Sequence, residues 1–107
     1  MAVISTIGNY FPEIIFETFE PEFDADLCGD IDYLGWVGKN AFGIQIKPVT
    51  AKANFGNYPP TERMKNSFND FTEKYGGKVF IVFSIDDEIK NIEVIEEIRA
   101  EIKRLLK

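Results

Sequence analysis

The feature that most constrains the fold is a nearly continuous apolar run, KVFIVFSI, at residues 78–85. A strand that is buried on both faces has this composition, whereas a half-buried strand alternates apolar and polar residues. Asp86 and Asp87 end the run. The run therefore predicts a buried central strand of an α/β protein.

Two helices are predicted on either side of this strand in the sequence. The first runs from Thr61, which can cap it, to Tyr75, and the glycines at 76 and 77 end it. The second begins at Asn91 or a neighbour, and its acids come early and its basic residues late, as the helix dipole favours. Their apolar stripes are Met64, Phe68, Phe71 and Tyr75, and Ile95, Ile98, Ile102 and Leu105.

The N-terminal part is predicted to contain one short helix. Residues 1–8 are expected to form a short strand or an arm, and residues 9–20 a helix, because Pro12 suits a first turn and Pro21 ends it. Residues 21–29 are expected to form a loop. The apolar residues at helical spacing in 9–20 are Phe11, Ile14, Ile15 and Phe19.

Residues 30–37 and 41–48 are predicted to pair as a β-hairpin around Gly38-Lys39-Asn40. Side chains alternate along a strand, so one face of the hairpin gathers apolar side chains that share a core. That face is expected to hold Ile31, Tyr33, Val37, Phe42, Ile44 and Ile46. With the helices and the central strand, the hairpin gives one domain over residues 1–107, a three-layer α/β sandwich with a mixed sheet.

The opposite face of the hairpin gathers polar side chains. If a two-residue turn at Lys39-Asn40, or a four-residue loop around it, joins the strands, Asp32 lies directly opposite Lys47. Gln45 lies on the same face. Burial of the apolar face would then bring an acid, an amide and a lysine together.

Such a set suits metal-dependent phosphodiester hydrolysis. A divalent cation polarises the phosphate and lowers the pKa of an attacking water, and Mg²⁺ prefers carboxylate and carbonyl oxygens. Asp32 would supply charge, and the Gln45 side-chain carbonyl and the Ile46 backbone carbonyl would supply neutral oxygens. Lys47 would orient the water or stabilise negative charge on the phosphate.

Other acids are candidates to complete this site. Glu17 is the preferred residue of the series Glu13, Glu17 and Glu20, which shares one face of the predicted helix, and Asp30 is a possible second ligand. Each residue also has an ordinary structural interpretation. Asp32 and Lys47 can form a surface ion pair, the glutamates a solvated helix face, and Asp30 a loop acid that precedes a strand.

Composition excludes several kinds of site. The chain of 107 residues has no histidine and one cysteine, Cys28, so it has no Ser-His or Cys-His triad and no multi-cysteine zinc site. The single cysteine suggests a reducing, cytoplasmic setting, and no apolar stretch is long enough to cross a membrane. The net charge of -6 is evidence against a nucleic-acid partner.

The arrangement of Asp32, a hairpin and then Gln45-Ile46-Lys47 resembles the signature of PD-(D/E)xK nucleases. More closely, GIQIKPVTAKANFGNYPPTERMKNSFNDFTEKYGGKVFIVFS at 43–84 is similar to MjaI-type restriction endonucleases. The resemblance implies a restriction-endonuclease-like core and cleavage of double-stranded DNA at a short site by a homodimer with Mg²⁺, for which Mn²⁺ can substitute. It also implies that Asp32 and Gln45 lie at the metal and Lys47 at the attacking water.

Two departures from the family pattern leave alternatives open. Gln45 stands where most of the superfamily has Asp or Glu, although some members carry Gln, and its neutral side chain implies a metal site that is weaker or relies on Asp30 or Glu17. The chain is short for a restriction enzyme, which implies a fragment or a minimal homologue. The alternatives are another PD-(D/E)xK nuclease, for repair, resolution or transposition, and a catalytically silent interaction module.

Basic and amide side chains that follow the hairpin are candidates for DNA contact. They are Lys52, Asn54, Arg63 and Lys65. Such donors suit phosphate oxygens and base edges. The loop over residues 49–60, which carries the first two, can equally be a solvated connector.

Overall fold

The computed structural model describes residues 2–19, 31–48, 62–85 and 88–106, with three helices and five strands among them. In chain order the elements are α1 Ala2–Tyr10, β1 Ile15–Thr18, β2 Tyr33–Val37, β3 Asn40–Pro48, α2 Glu62–Tyr75, β4 Gly76–Ile85, β5 Glu88–Ile89 and α3 Val94–Leu105. The predicted hairpin, central strand and two C-terminal helices are all present.

The five strands form one mixed sheet in the order β1-β2-β3-β4-β5. Strands β3 and β4 are parallel and are connected through α2, whereas the other neighbouring pairs are antiparallel. A parallel pair needs a crossover connection, and the helix supplies it. The predicted mixed α/β sheet is therefore confirmed and is compatible with a restriction-endonuclease-like core.

The helices cover the two faces of the sheet and form two apolar cores. Helices α1 and α3 cover one face, where the larger core contains Ile7, Phe11, Val37, Phe42, Ile44, Phe80, Val82, Val94, Ile95, Ile98 and Ile102. Helix α2 covers the other face, where the smaller core contains Phe19, Ile31, Leu34, Ala41 and Phe71. Burial on both faces explains the continuous apolar pattern of β4.

The N-terminal prediction is wrong, because the helix precedes the strand and not the reverse. Residues 2–10 form α1 rather than a strand or an arm, and the predicted helix over residues 9–20 is replaced by a turn and β1. Strand β1 pairs with β2, and Phe16 on β1 contacts the larger core. The apolar spacing that suggested a helix also fits a short edge strand, and the distant pairing with β2 decides between them.

The hairpin is present, but its predicted register is wrong by two residues. The turn is at Gly38 and Lys39, so Val37 pairs with Asn40 and Leu34 pairs with Gly43. Gly38 has a φ of 63°, which glycine adopts without steric cost and which favours the turn one residue earlier than predicted. A shift of two residues leaves the side-chain faces unchanged.

Ile31 is an exception to the predicted faces. It belongs to the core under α2 instead of the core under α1 and α3. The regular pairing of β2 begins only at Tyr33, so alternation does not extend back to residue 31. A methyl group at Gly43 would lie 3.2 Å from the Ile31 side chain and 3.3 Å from Phe71, so the missing side chain makes room for both.

Several predictions fall outside the described residues. They concern the loop over residues 21–29, Asp30, and the loop over residues 49–60 with Lys52 and Asn54. Within the part of the chain that the structure describes, no helix has the length and apolar character needed to cross a membrane.

Candidate active site

Asp32 is fixed at the point where β1, β2 and β3 meet. Its backbone N–H donates to the carbonyl of Ile44 over 2.9 Å, and its carbonyl accepts from the N–H of Phe19 over 2.9 Å. The Oδ2 atom of its side chain accepts a third hydrogen bond, of 2.8 Å, from the N–H of Ile46. Backbone groups therefore hold both the main chain and the carboxylate of Asp32, while the residue stays exposed to solvent.

The hydrogen bond from Ile46 sets the carboxylate of Asp32 beside the segment of β3 that carries the two other candidates. Ile46 lies between Gln45 and Lys47, beyond the last residue of β3 that pairs with β2. The carboxylate thus takes the place of a strand partner. The N–H and C=O of one strand residue point to the same edge, so the Ile46 carbonyl faces the same edge as Asp32.

Gln45 carries a buried side-chain oxygen, Oε1, that has no hydrogen-bond partner among the residues described. A buried polar atom without a partner costs roughly 1–3 kcal/mol, so a ligand that satisfied it would be favoured. The residue opposite Gln45 on β4 is Ile81, whose side chain offers no donor. This oxygen is the observation at Gln45 that favours a bound ligand.

Lys47 lies on the same face of β3 as Gln45, two residues further along the strand. The two alternate with Ile44 and Ile46, which contact the core under α1 and α3, so their side chains are on the α2 face. Lys47 is half-buried, and it pairs in register with the buried Phe83 of β4. The structure therefore places Gln45 and Lys47 on one face, and the Asp32 carboxylate is hydrogen-bonded to the backbone of Ile46, the residue between them.

These residues are compatible with a hard divalent cation. The oxygens that would hold Mg²⁺ are the carboxylate of Asp32, Oε1 of Gln45 and the carbonyl of Ile46. Among residues 2–19, 31–48, 62–85 and 88–106, no three His, Cys, Asp or Glu side chains are grouped to bind a metal. Mg²⁺ accepts a set with one carboxylate because it retains waters and binds substrate phosphate.

Comparison with known proteins gives one result that decides the family. The family model described as MjaI restriction endonuclease matches residues 2–104. This chain belongs to the MjaI restriction endonuclease family. Membership supports a restriction-like nuclease in general. No curated protein and no solved structure matches the chain significantly.

In this member of the MjaI restriction endonuclease family, Glu17 lies on a strand and not on the predicted helix. It is opposite Leu34 on β2, and its Oε2 accepts a hydrogen bond of 3.3 Å from the indole N–H of Trp36. The residue next to Asp32 across the β1–β2 pair is Phe19. The one side-chain contact described for Glu17 is thus directed toward the hairpin turn, away from Asp32.

The first turn of α2 lies at the same end of the sheet as Lys47. Its last residue, Tyr75, contacts Trp36 near the hairpin turn with ring centroids 6.4 Å apart, and Phe71 lies over Gly43, further along β3. The helix therefore runs back toward the far end of β3. Lys65 is exposed in this first turn, and nothing is described for the side chain of Arg63.

A cavity of about 460 Å³ lies beside α3, on the face of the sheet opposite the candidate site. It is lined by Lys78, Phe80, Glu97, Ala100, Glu101 and Arg104. The buried carboxylate of Glu101 accepts hydrogen bonds of 2.6 and 2.8 Å from Arg104 and one of 2.7 Å from the N–H of Lys78. The hydrogen bonds from Arg104, with help from Lys78, lower the pKa of Glu101 against the effect of burial.

The contribution of the Ile46 N–H to the site was not predicted from the sequence. Only the carbonyl of Ile46 was named as a candidate ligand. The hydrogen bond to Asp32 is made by a backbone group, so the identity of the residue carries no signal for it.

Proposed function

We propose that this chain is a Mg²⁺-dependent restriction-type endonuclease that hydrolyses phosphodiester bonds in double-stranded DNA. One observation carries the proposal. The Oδ2 atom of Asp32 is held 2.8 Å from the N–H of Ile46, between Gln45 and Lys47. Family membership supports the class of nuclease, and this contact supports the choice of residues.

Each residue has a separate role in the proposed reaction. When bound, Mg²⁺ would polarise the scissile phosphate and lower the pKa of a water. Asp32 binds the cation with the one negative charge of the set, while Gln45 and the carbonyl of Ile46 add neutral oxygens. Lys47 donates hydrogen bonds to the attacking water or to the phosphate as negative charge develops there.

Cleavage of a supercoiled plasmid tests this function. With Mg²⁺ or Mn²⁺ the parent chain is expected to give discrete linear fragments. Lys47→Ala and Asp32→Asn are expected to be slower by about a hundredfold or more, because each removes an interaction made with the reacting phosphate or its metal. Lys103→Ala is the matched control, since Lys103 is exposed on α3. Equal cleavage by all four proteins would identify a contaminant and contradict the proposal.

We propose a homodimer as the active form for double-strand cleavage. One chain offers one set of Asp32, Gln45 and Lys47, whereas the two strands need two attacks. The rate of double-strand cleavage is then expected to rise with more than the first power of enzyme concentration below the dimer dissociation constant. A strictly linear dependence at nanomolar concentrations would argue for a monomer.

A catalytically silent interaction module is the second candidate. The presence of only one carboxylate in the described donor set favours it, because most nuclease sites bind their metal with more charge. The same assay separates the candidates. A folded parent chain that binds DNA without cleaving it, with either metal, would support the silent module.

A further inference from the structure

Asn91 uses its side-chain amide to complete the outer edge of β4. Its Nδ2 donates to the carbonyl of Ile81 over 2.8 Å, and its Oδ1 accepts from the N–H of Phe83 over 2.9 Å. The N–H of Lys90 donates to the carbonyl of Phe83 over 2.8 Å. Strand β5 pairs only with Ser84 and the residue after it, so the Asn91 amide substitutes for a strand partner at residues 81 and 83.

These two residues of β4 are the ones that pair with the candidate site. Ile81 is in register with Gln45, and Phe83 is in register with Lys47. By alternation from Val79, which contacts the core under α2, the side chains of both residues lie on the α2 face with Gln45 and Lys47. The β4 backbone that Asn91 hydrogen-bonds is therefore the part of β4 that borders the candidate site.

The Asn91 side chain does not cap α3, whose N-cap residue is Glu93. Asparagine just before a helix commonly caps it by accepting from a backbone N–H with its side chain. Here the contact with the start of α3 is made by the Asn91 backbone carbonyl, which accepts from the N–H of Val94 over 2.9 Å. The side chain is thereby available to β4, and the residue connects the start of α3 to the strand beside the site.

We infer that Asn91 is a positioning residue for the proposed active site, an inference that rests on the proposed function. By holding β4 at Ile81 and Phe83, it keeps β4 in place beside Gln45 and Lys47. Without the amide, the N–H of Phe83 and the carbonyl of Ile81 lose their partners. The strand then frays at this point, and the geometry of the site loosens.

The matched control is Glu101, which accepts a hydrogen bond from the β4 backbone near the other end of the strand. Its carboxylate accepts from the N–H of Lys78 over 2.7 Å, one residue before Val79, which pairs with Gly43. Glu101→Gln weakens the support of β4 far from Gln45 and Lys47, whereas Asn91→Ala weakens it beside them. Comparing the two variants separates a local effect on the site from a general loss of stability.

The first readout is the backbone amide resonances of Ile46 and Lys47 in the metal-free chain, where the N–H of Ile46 reports its bond to Asp32. Asn91→Ala is expected to shift both resonances and to speed their hydrogen exchange, and Glu101→Gln to leave them near the parent values. If Asn91→Ala does not fold, Asn91→Ser keeps a hydroxyl for one of the two hydrogen bonds and is measured instead. Unchanged resonances, or equal changes in both variants, would overturn the inference.

The second readout is single-turnover cleavage with DNA and Mg²⁺ saturating, under conditions where every variant is folded. Asn91→Ala is expected to slow the bond-breaking rate by about tenfold to a hundredfold, as loss of a group that orients ligands does. Glu101→Gln is expected to stay within about twofold of the parent. If the parent itself does not cleave, the proposed function fails, and the amide resonances alone decide whether Asn91 holds the segment.

Discussion

Asp32 occupies its position because backbone groups hold it, and not because another side chain pairs with it. The hydrogen bonds to Ile44, Phe19 and Ile46 fix its main chain and one carboxylate oxygen. A carboxylate accepts about four hydrogen bonds or metal contacts, so the bond from Ile46 leaves capacity for a cation. Gln45 has the complementary property, a buried oxygen that lacks a hydrogen-bond partner among the residues that the structure describes. At this scale the sequence predicts the residue types of the site, whereas their anchoring depends on backbone positions that a sequence does not show.

Substitution of Gln45 by Glu tests whether its Oε1 faces a cation. In the metal-free chain a buried carboxylate lacks a partner, so Gln45→Glu is expected to lower the unfolding temperature. Metal affinity rises with ligand charge, so Mn²⁺ is expected to bind on the order of tenfold more tightly and to restore the lost stability. Thermal unfolding with and without Mn²⁺ measures both effects, and Gln45→Ala is the control. A Gln45→Glu variant that Mn²⁺ does not stabilise beyond the parent would contradict a metal-facing oxygen.

The elements differ in how well the sequence predicts them. Strand β4 and helices α2 and α3 were predicted because burial on both faces, or one apolar stripe, leaves a clear pattern. The N-terminal elements are not predicted correctly. The apolar residues of 11–19 fit both the helical spacing and the strand spacing, and only pairing with β2 selects a strand. The hairpin register was missed because it depends on which residue adopts a positive φ, and Gly38 does so.

The packing of β2 on β3 depends on the absence of a side chain at Gly35. A methyl group there would overlap the ring of Phe42, which covers this position in the larger core. Gly35→Ala is expected to lower the free energy of unfolding by about 1–3 kcal/mol, as overpacking does. Gly8→Ala on α1 is the control, because nothing lies within 4 Å of the added methyl, and it is expected to stabilise by up to about 1 kcal/mol. Urea unfolding measures both, and equal effects of the two variants would count against the described packing.

For the whole molecule, the net charge of -6 opposes binding of the proposed DNA substrate, which is also negatively charged. The proposed site carries one acid in the described donor set, and Lys47 and Lys65 lie at the same end of the sheet. Helix α3, on the opposite face of the sheet from α2, carries three acids and three basic residues, so its own charges balance. The net charge is a sum over the whole chain, whereas a phosphate at the candidate site would interact mainly with the charges nearest to it, Asp32 and Lys47.

The buried carboxylate of Glu101 makes the stability of the whole domain depend on pH. Its folded pKa is lowered by hydrogen bonds from Arg104 and Lys78. The stabilisation is therefore complete above the ordinary glutamate pKa of about 4.3 and is lost as pH falls through the lower folded value. The free energy of unfolding of Glu101→Gln at pH 7 is expected to be lower than that of the parent by about 1–3 kcal/mol. On acidification the variant is expected to lose less stability than the parent. Urea unfolding between about pH 3 and pH 7, a range that includes the ordinary pKa of glutamate, measures this pH dependence. Parallel curves for parent and variant would contradict the role of the ionised carboxylate.

The most direct test of the proposed site is to locate a bound cation. Crystals of the chain soaked in Mn²⁺ would be measured for anomalous scattering, with Asp32→Asn crystals as the control. We predict one peak within coordination distance of the Asp32 carboxylate and Oε1 of Gln45 in the parent, and its loss in the variant. A peak elsewhere, or an Asp32 side chain that keeps only its bond to Ile46 at saturating Mn²⁺, would contradict the metal site on which the proposed nuclease activity rests.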